Sequence, residues 1–198
     1  MRNKDQILLE SLYESNVLNK NKIIIISGLH GDEPAGNIAA KFFENLENVY
    51  VISDINSTNK RRMDGRDLNR HFDTPDENDI QDKIILGIEK MNPKLVISLH
   101  EDDEVDGVYA YCSPDLEECL KQCLEGIDIS VLKNAHGDKT DGGVITNGNQ
   151  PYKGTLERAL RRRNISYCTI ETPSSEKSLE ERVICLKQIV NNIINYQN

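Results

Sequence analysis

The sequence predicts a single-domain α/β protein with helices on both faces of a mostly parallel central sheet. Two short, branched runs at residues 22–26 and 94–99 are almost wholly apolar, which is typical of strands buried on both faces. Such runs alternate with amphipathic stretches, and this alternation favours an α/β/α sandwich. The length of 198 residues suits one domain, so we expect residues 1–198 to form a single unit.

The expected elements follow in order along the chain. Strands are predicted at residues 22–26, 49–52, 94–99 and 167–170, and helices at residues 5–13, 33–45, 78–91, 116–124, 155–163 and 178–196. The last helix carries apolar residues at three- to four-residue spacing, which indicates one buried stripe. Residues 56–75 have many charges and few apolar side chains, and a loop of that length inside a domain is usually functional.

The composition argues against several classes of protein. Lysine and arginine number 24 against 33 acidic residues, for a net charge of −9, so we expect no nucleic-acid partner. Apolar runs such as residues 23–26 are far shorter than the ~20 residues that span a bilayer, so we expect no membrane partner. We see no signal peptide, and five scattered cysteines suit a reducing compartment. The expected location is cytoplasmic, and the oligomeric state stays open.

Polar side chains follow the predicted strands, where open α/β sheets place their sites. His30 and Glu33 come after the first strand, His100 ends the run at 94–99, and Glu171 follows the last strand. Two imidazoles and one carboxylate, with a fourth position left for water, make a catalytic zinc site. Taken alone, Glu33 could simply cap a helix and His100 could be a core histidine. Their joint placement favours a metal.

The chain resembles the zinc carboxypeptidase superfamily, which includes the succinylglutamate desuccinylase/aspartoacylase branch and the murein-peptide amidases. Four segments carry the resemblance, in the family's order and at similar separations. They are Gly-Leu-His-Gly-Asp-Glu-Pro at 28–34, Arg-Asp-Leu-Asn-Arg-His-Phe at 66–72, Ser-Leu-His at 98–100 and Thr-Ile-Glu at 169–171. Each segment alone is weak evidence, whereas four in order are specific.

The resemblance implies a fold and a set of residue roles. The fold is an α/β/α sandwich around a mixed, mostly parallel sheet, and one zinc ion per chain is held by His30, Glu33 and His100. Glu171 is then the general base, and the tyrosine that covers the site is best matched by Tyr152, although its register is inexact. The remaining implied roles are substrate carboxylate binding by Asn69 and Arg70, and polarisation of the scissile carbonyl by Arg62.

The arginines at 61, 62, 66 and 70 have a physical rationale of their own. Four of them within ten residues of an acidic chain favour an anion site, although a solvated basic loop is the plainer alternative. A planar guanidinium binds a carboxylate through two parallel hydrogen bonds, which a lysine cannot reproduce.

The expected activity is hydrolysis of an amide bond by a zinc-dependent carboxypeptidase or amidase. The substrate would be a small, peptide-like molecule with a free carboxylate. After Glu171 the sequence predicts a loop and one helix, without the C-terminal β-domain of two-domain deacylases, and this favours an open pocket. Two alternatives stay open: deacylation of an N-acyl amino acid, and a catalytically silent zinc-binding module.

Residues 101–106 form an acidic run whose role the sequence leaves undecided. The run could be a solvated rim, could select a cationic substrate group, or could let Glu101 assist at the metal. His136 stays unassigned, and Cys119 and Cys123 fit small buried residues better than ligands.

Overall fold

A computed structural model describes residues 22–73, 79–146 and 151–197. The predicted helix at residues 5–13 lies outside the described residues. Eight strands are present in this part of the chain: β1 Ile23–Ser27, β2 Val49–Ile52, β3 Leu95–Asp102, β4 Tyr109–Cys112, β5 Asn134–Ala135, β6 Asp138–Lys139, β7 Val144–Thr146 and β8 Tyr167–Pro173. The helices are α1 Pro34–Lys41, α2 Ile80–Met91, α3 Glu117–Leu124, α4 Leu156–Arg162 and α5 Leu179–Gln197.

The central sheet has six strands in the order β2-β1-β3-β8-β4-β7. Strands β2, β1, β3 and β8 run parallel, and β4 runs antiparallel to β8. The sheet is therefore mixed and mostly parallel, which confirms the predicted fold class. Strands β5 and β6 form a separate small hairpin.

Alternate residues of the central strands face two separate cores, which explains why the first residues of β1 and β3 are all apolar. In β1, Ile23 and Ile25 pack with side chains of α1, α3 and α5 on one face. Ile24 and Ile26 pack with side chains of α2 and α4 on the other face. Helices therefore cover both faces of the sheet, as the alternating pattern predicts. Within the described residues, none of these helices is both long and apolar enough to cross a membrane.

Several elements differ from the sequence-based expectation. Strands β4 and β7 were not predicted, because they are only four and three residues long and are stabilised by pairing with distant segments. Strand β3 extends to Asp102, since its last polar residues pair with the end of β8. Helix α1 ends at Lys41, earlier than the predicted residue 45, and turns follow it.

Candidate metal centre and active site

Two adjacent parallel strands bring three metal-ligating side chains together. β1 pairs with β3 up to Ser27 and Leu99, so His30 in the turn after β1 lies near His100 on β3. Glu33 occupies the position just before α1 and makes no capping hydrogen bond with its side chain. Its carboxylate is thus available to the histidines, and the plainer capping role does not apply.

The contacts converge on the two oxygens of Glu33. His30 Nδ1 lies 2.6 Å from Glu33 Oε1, and His100 Nδ1 lies 2.9 Å from Glu33 Oε2. The imidazole centroids are 5.1 Å apart, and all three residues are buried. One ligand atom from each residue lies within 4.8 Å of the others. Two imidazole nitrogens and a carboxylate oxygen are a donor set that fits a divalent ion such as zinc, with room for further ligands.

Hydrogen bonds and charges change the proton affinities in this cluster. Burial would lower the pKa of His30, but its bonds to Asp67 and Glu33 outweigh burial and raise that pKa to about 9. Burial would raise the pKa of Glu33, yet the neighbouring imidazoles lower it to about 2. A divalent ion bound here would compete with protons for the same imidazole and carboxylate atoms.

Asp67 supports the site in a way that sequence analysis missed. Its Oδ1 lies 3.1 Å from His30 Nε2 and accepts a hydrogen bond of 3.0 Å from the backbone of Asn69. Since Nε2 is engaged by Asp67, Nδ1 of His30 faces Glu33 and the cluster. The sequence offers one hint of this contact, the position of Asp67 within the Arg-Asp-Leu-Asn-Arg segment. The contact joins residues that are 37 positions apart, so no local pattern reveals it. Such a partner fixes the orientation of a ligating imidazole.

Glu171 lies beside the metal-ligand cluster on the neighbouring strand. It pairs in register with His100, and register partners on adjacent strands share a face of the sheet. Burial raises the pKa of Glu171 to about 8, and the charge of His100 only partly offsets this effect. A carboxylate with that proton affinity can accept a proton near neutral pH.

The arginine-rich loop reaches the site through Arg61. Arg61 Nη1 lies 3.5 Å from Glu33 Oε1, whereas Arg62, for which the sequence predicts the carbonyl-polarising role, is an exposed neighbour in the same loop. Arg70 is also exposed, and its guanidinium donates to the backbone carbonyl of Asn69 at 2.7 Å. Arg61 thus contacts the cluster, and the roles of Arg62 and Arg70 stay predictions.

Asn69 and Tyr152 come from two segments that contact each other. The buried Asn69 accepts a hydrogen bond of 2.9 Å through Oδ1 from the backbone of Leu156, which fixes the orientation of its side-chain amide. The Phe72 N–H donates to the carbonyl of Gly154 at 2.8 Å. Tyr152, 71% exposed, lies in the same loop before α4. The segments predicted to hold the substrate therefore form one continuous border.

The acidic run divides into a buried and an exposed part. Glu101 accepts a hydrogen bond of 2.6 Å from the backbone of Ala35 and pairs with Arg182 of α5, so it joins two helices to β3. Asp102 accepts from the Tyr109 hydroxyl at 2.8 Å and lies 2.5 Å from His136 Nε2. Both carboxylates are thus occupied by protein partners, which disfavours a role for Glu101 as a metal ligand. The later acidic residues at 103, 104 and 106 are exposed.

In the metal-free protein, a rise in pH from about 6.5 to about 9 should lower the free energy of unfolding by a few kcal/mol. The pKa of His30 is about 9 in the folded chain and 6.5 ordinarily, so across this window the folded chain binds more protons than the unfolded one. Glu171 acts in the same direction, because burial raises its pKa from 4.5 to about 8. Urea unfolding with chelator, repeated across this pH range, measures the effect. Constant or rising stability would contradict the prediction.

Comparison with solved structures places this chain among proteins of one fold. A provisionally assigned metallopeptidase from Shewanella amazonensis SB2B has a TM-score of 0.74 and 20% identity, over 96% of this chain and 90% of that chain. The murein-tripeptide amidase MpaA from Escherichia coli O157 has a TM-score of 0.60 and 17% identity, over 87% and 82%. A metallo-carboxypeptidase from Burkholderia cenocepacia has a TM-score of 0.67 and 13% identity, over 90% and 57%.

No protein-family model matches the chain, and no curated protein matches it by sequence. The structural similarity shows that the chain has the zinc carboxypeptidase-like fold. At identities of 20% or less, fold does not by itself determine chemistry, so the activity has to follow from the side chains of this chain.

Proposed function

We propose that this chain is a zinc-dependent amide-bond hydrolase, a carboxypeptidase or amidase, that acts on a small peptide-like substrate with a free carboxylate. One observation carries the proposal: the buried His30, Glu33 and His100 cluster adjoins a proton-accepting Glu171. Both lie toward the carboxyl ends of adjacent parallel strands, where α/β folds bind their ligands. Similarity in fold to metallopeptidases and an amidase supports the same class of reaction.

In this proposal His30, Glu33 and His100 hold one zinc ion per chain. The ion would supply Lewis acidity toward the scissile carbonyl and the attacking water. Asp67 keeps the His30 imidazole oriented, and Glu171 accepts a proton from the attacking water and passes it to the leaving amine. Arg62, or the nearer Arg61, would stabilise the negative charge that develops on the carbonyl oxygen.

The substrate carboxylate would be bound at the border formed by Asn69 and Arg70. Because Oδ1 of Asn69 accepts from Leu156, its amide nitrogen would be the atom that donates to the substrate carboxylate. The exposed guanidinium of Arg70 can offer two parallel donors to a carboxylate. Tyr152 would cover the bound substrate from the adjoining loop.

Replacing Arg70 with alanine should reduce kcat/KM by roughly 10- to 100-fold, because a charged group of the substrate loses its partner. Arg70→Lys should recover little, since an ammonium cannot form both bonds. The matched control is a substrate amidated at its terminal carboxylate, which the wild type should process poorly and the Arg70 variant nearly as well as the free acid. Equal wild-type rates on both substrates would contradict the proposed carboxylate site.

The proposal is tested by assaying zinc-loaded protein on two panels, C-terminally varied peptides and N-acyl amino acids. Hydrolysis of the peptides, abolished by chelation and restored by zinc, is the expected result. Hydrolysis restricted to N-acyl amino acids would indicate a deacylase instead. Stoichiometric zinc binding without turnover of either panel would indicate a silent binding module.

The proposal extends to domain organisation and location. We assign residues 1–198 to one catalytic domain. The five cysteines, all in the described part of the chain, are free and buried. Free thiols are typical of a reducing compartment, which supports the proposed cytoplasmic location.

A further inference from the structure

Glu101 connects the two backbone segments that carry Glu33 and His100. It directly follows His100 on β3, and its side chain accepts a hydrogen bond of 2.6 Å from the backbone N–H of Ala35 in the first turn of α1. Ala35 lies two residues after Glu33, whose carboxylate contacts both histidines of the cluster. One carboxylate thus joins the strand that carries His100 to the helix that follows Glu33.

The side chain of Glu101 lies on the opposite face of the sheet from the metal-ligand cluster. Successive side chains of a strand alternate between the two faces, so Glu101 shares its face with Leu99 and not with His100. Leu99 belongs to the core that β1 and β3 form with α1, α3 and α5, and Glu101 is buried at the end of that core. Any effect of Glu101 on the metal ligands therefore passes through the backbone.

A second contact shows that α1 lies tightly against β3 at this point. A Cβ atom at Gly36 would lie 3.0 Å from the backbone oxygen of Leu99 and 3.2 Å from its Cβ. The absence of a side chain at Gly36 therefore lets the first turn of α1 approach the strand closely. Together with the hydrogen bond of Ala35, this contact fixes the start of α1 against the strand that carries His100.

Arg182 of α5 balances the charge of the buried Glu101. Its guanidinium pairs with Glu101, its Nε donates to the backbone carbonyl of Ser178 at 3.3 Å, and its side chain is only 11% exposed. A buried ion pair often stabilises a fold no more than apolar residues of the same volume, because removing two charges from water is costly. The pair does hold a negative oxygen in one place, and a charged acceptor binds an N–H group more strongly than a neutral one.

We propose that Glu101 is a positioning residue of the metal centre, which fixes Glu33 against His100 by binding the Ala35 N–H before a metal binds. The first N–H groups of a helix have no partner within the helix, so an outside carboxylate can hold them. A preformed site binds its ion more tightly, because fewer groups have to be ordered on binding. This inference rests on the metal centre of the proposed function, and Arg182 serves it by compensating the charge of Glu101.

Two double variants of the full chain, both without the ion pair, separate positioning from stability. Glu101→Gln/Arg182→Met keeps an acceptor oxygen for the Ala35 N–H, whereas Glu101→Met/Arg182→Met has none. Both variants are uncharged at these positions and similar in volume, so they differ mainly in one hydrogen bond. We expect the zinc Kd, measured by competition with a chromophoric chelator, to stay within about threefold of the wild type in the first variant and to rise at least about tenfold in the second.

Val190→Ala is the control for stability. Val190 is fully buried in the core that α5 shares with the sheet, and it lies about two helical turns from Arg182. Its truncation should lower the free energy of unfolding in urea and leave the zinc Kd unchanged. A rise in zinc Kd as large as that in Glu101→Met/Arg182→Met would show that the effect follows from stability alone, and would overturn the proposal.

Amide hydrogen exchange of the metal-free protein tests the hydrogen bond in the wild type itself. Exchange of the Ala35 amide should be slow in the wild type and in the glutamine double variant, and faster in Glu101→Met/Arg182→Met, which lacks the acceptor. Rapid exchange of this amide in the folded wild type would overturn the proposal, because the contact that carries the positioning would then be absent.

The zinc Kd values and turnover together separate this inference from the proposed function. A wild type that binds no zinc would overturn both the metal centre and the positioning role. The same zinc Kd in the two double variants would overturn the positioning role alone and leave the hydrolase standing. Weaker zinc binding in the methionine variant only, in a protein whose wild type hydrolyses neither substrate panel, would support the positioning role and contradict the hydrolase.

Discussion

Replacing His30 with alanine should remove both zinc binding and hydrolysis. His30 contributes one of three protein ligands, and its Nδ1 lies 2.6 Å from Glu33, so its loss leaves only Glu33 and His100 for a metal. Two protein ligands are too few for a catalytic zinc site, which generally has three. We expect zinc content to fall from about one ion per chain to near zero, and kcat/KM to fall by at least about 10³-fold.

Zinc content after dialysis against a weak chelator and kcat/KM are the two measurements. His136→Ala is a matched control, because it removes an exposed imidazole that contacts Asp102 and lies outside the ligand cluster. The control should retain its zinc. A His30→Ala protein that binds zinc as tightly as the wild type would show that the ligand assignment is wrong.

Replacing Glu171 with glutamine should leave zinc binding intact and reduce kcat by ~10²- to 10⁴-fold, the usual contribution of a general acid–base group. Glutamine has nearly the same shape but cannot accept a proton from the attacking water. Burial raises the pKa of Glu171 to about 8 in the metal-free chain, and a bound divalent cation would favour the charged form and lower that pKa. The wild-type rate should therefore rise with pH as Glu171 loses its proton, and this rise should be absent in the variant.

The measurement is the pH profile of kcat on metal-replete protein, with zinc content determined on the same samples. Glu176→Gln removes one exposed carboxylate, and its profile should match that of the wild type. A Glu171→Gln protein with near-wild-type kcat would remove Glu171 from the mechanism. Loss of zinc from that variant would assign Glu171 to metal binding instead.

The fold class and the metal-ligand cluster could both be predicted from the sequence. Strands β1 and β3 are buried on both faces, so their first residues, 23–26 and 95–97, are all apolar and the pattern is visible without a structure. The polar residues directly after such strands stand out for the same reason. Because parallel strands end at a common edge, His30 and His100 could be expected to meet, and the structure brings them together with Glu33.

The short strands and the outer contacts could not be predicted in this way. β4 and β7 have only four and three residues, and their pairing depends on β8 and on each other rather than on local pattern. The acidic run looked uniform in sequence, yet the structure buries Glu101 against Arg182 and Asp102 against His136. Which residues pair over such long sequence separations depends on how the helices and strands pack, and the composition of the sequence does not predict it.

The sequence by itself determined which residues could bind a metal, because strand ends and ligand chemistry are local properties. Only the tertiary structure decided what surrounds them: Asp67 contacts His30 Nε2, and Arg61 rather than Arg62 pairs with Glu33. The physical reason is that burial, charge pairing and unpartnered polar atoms are properties of a packed neighbourhood. The hydrogen bond from the Thr169 hydroxyl of β8 to the buried Glu157 of α4, for example, exists only when these two elements pack together.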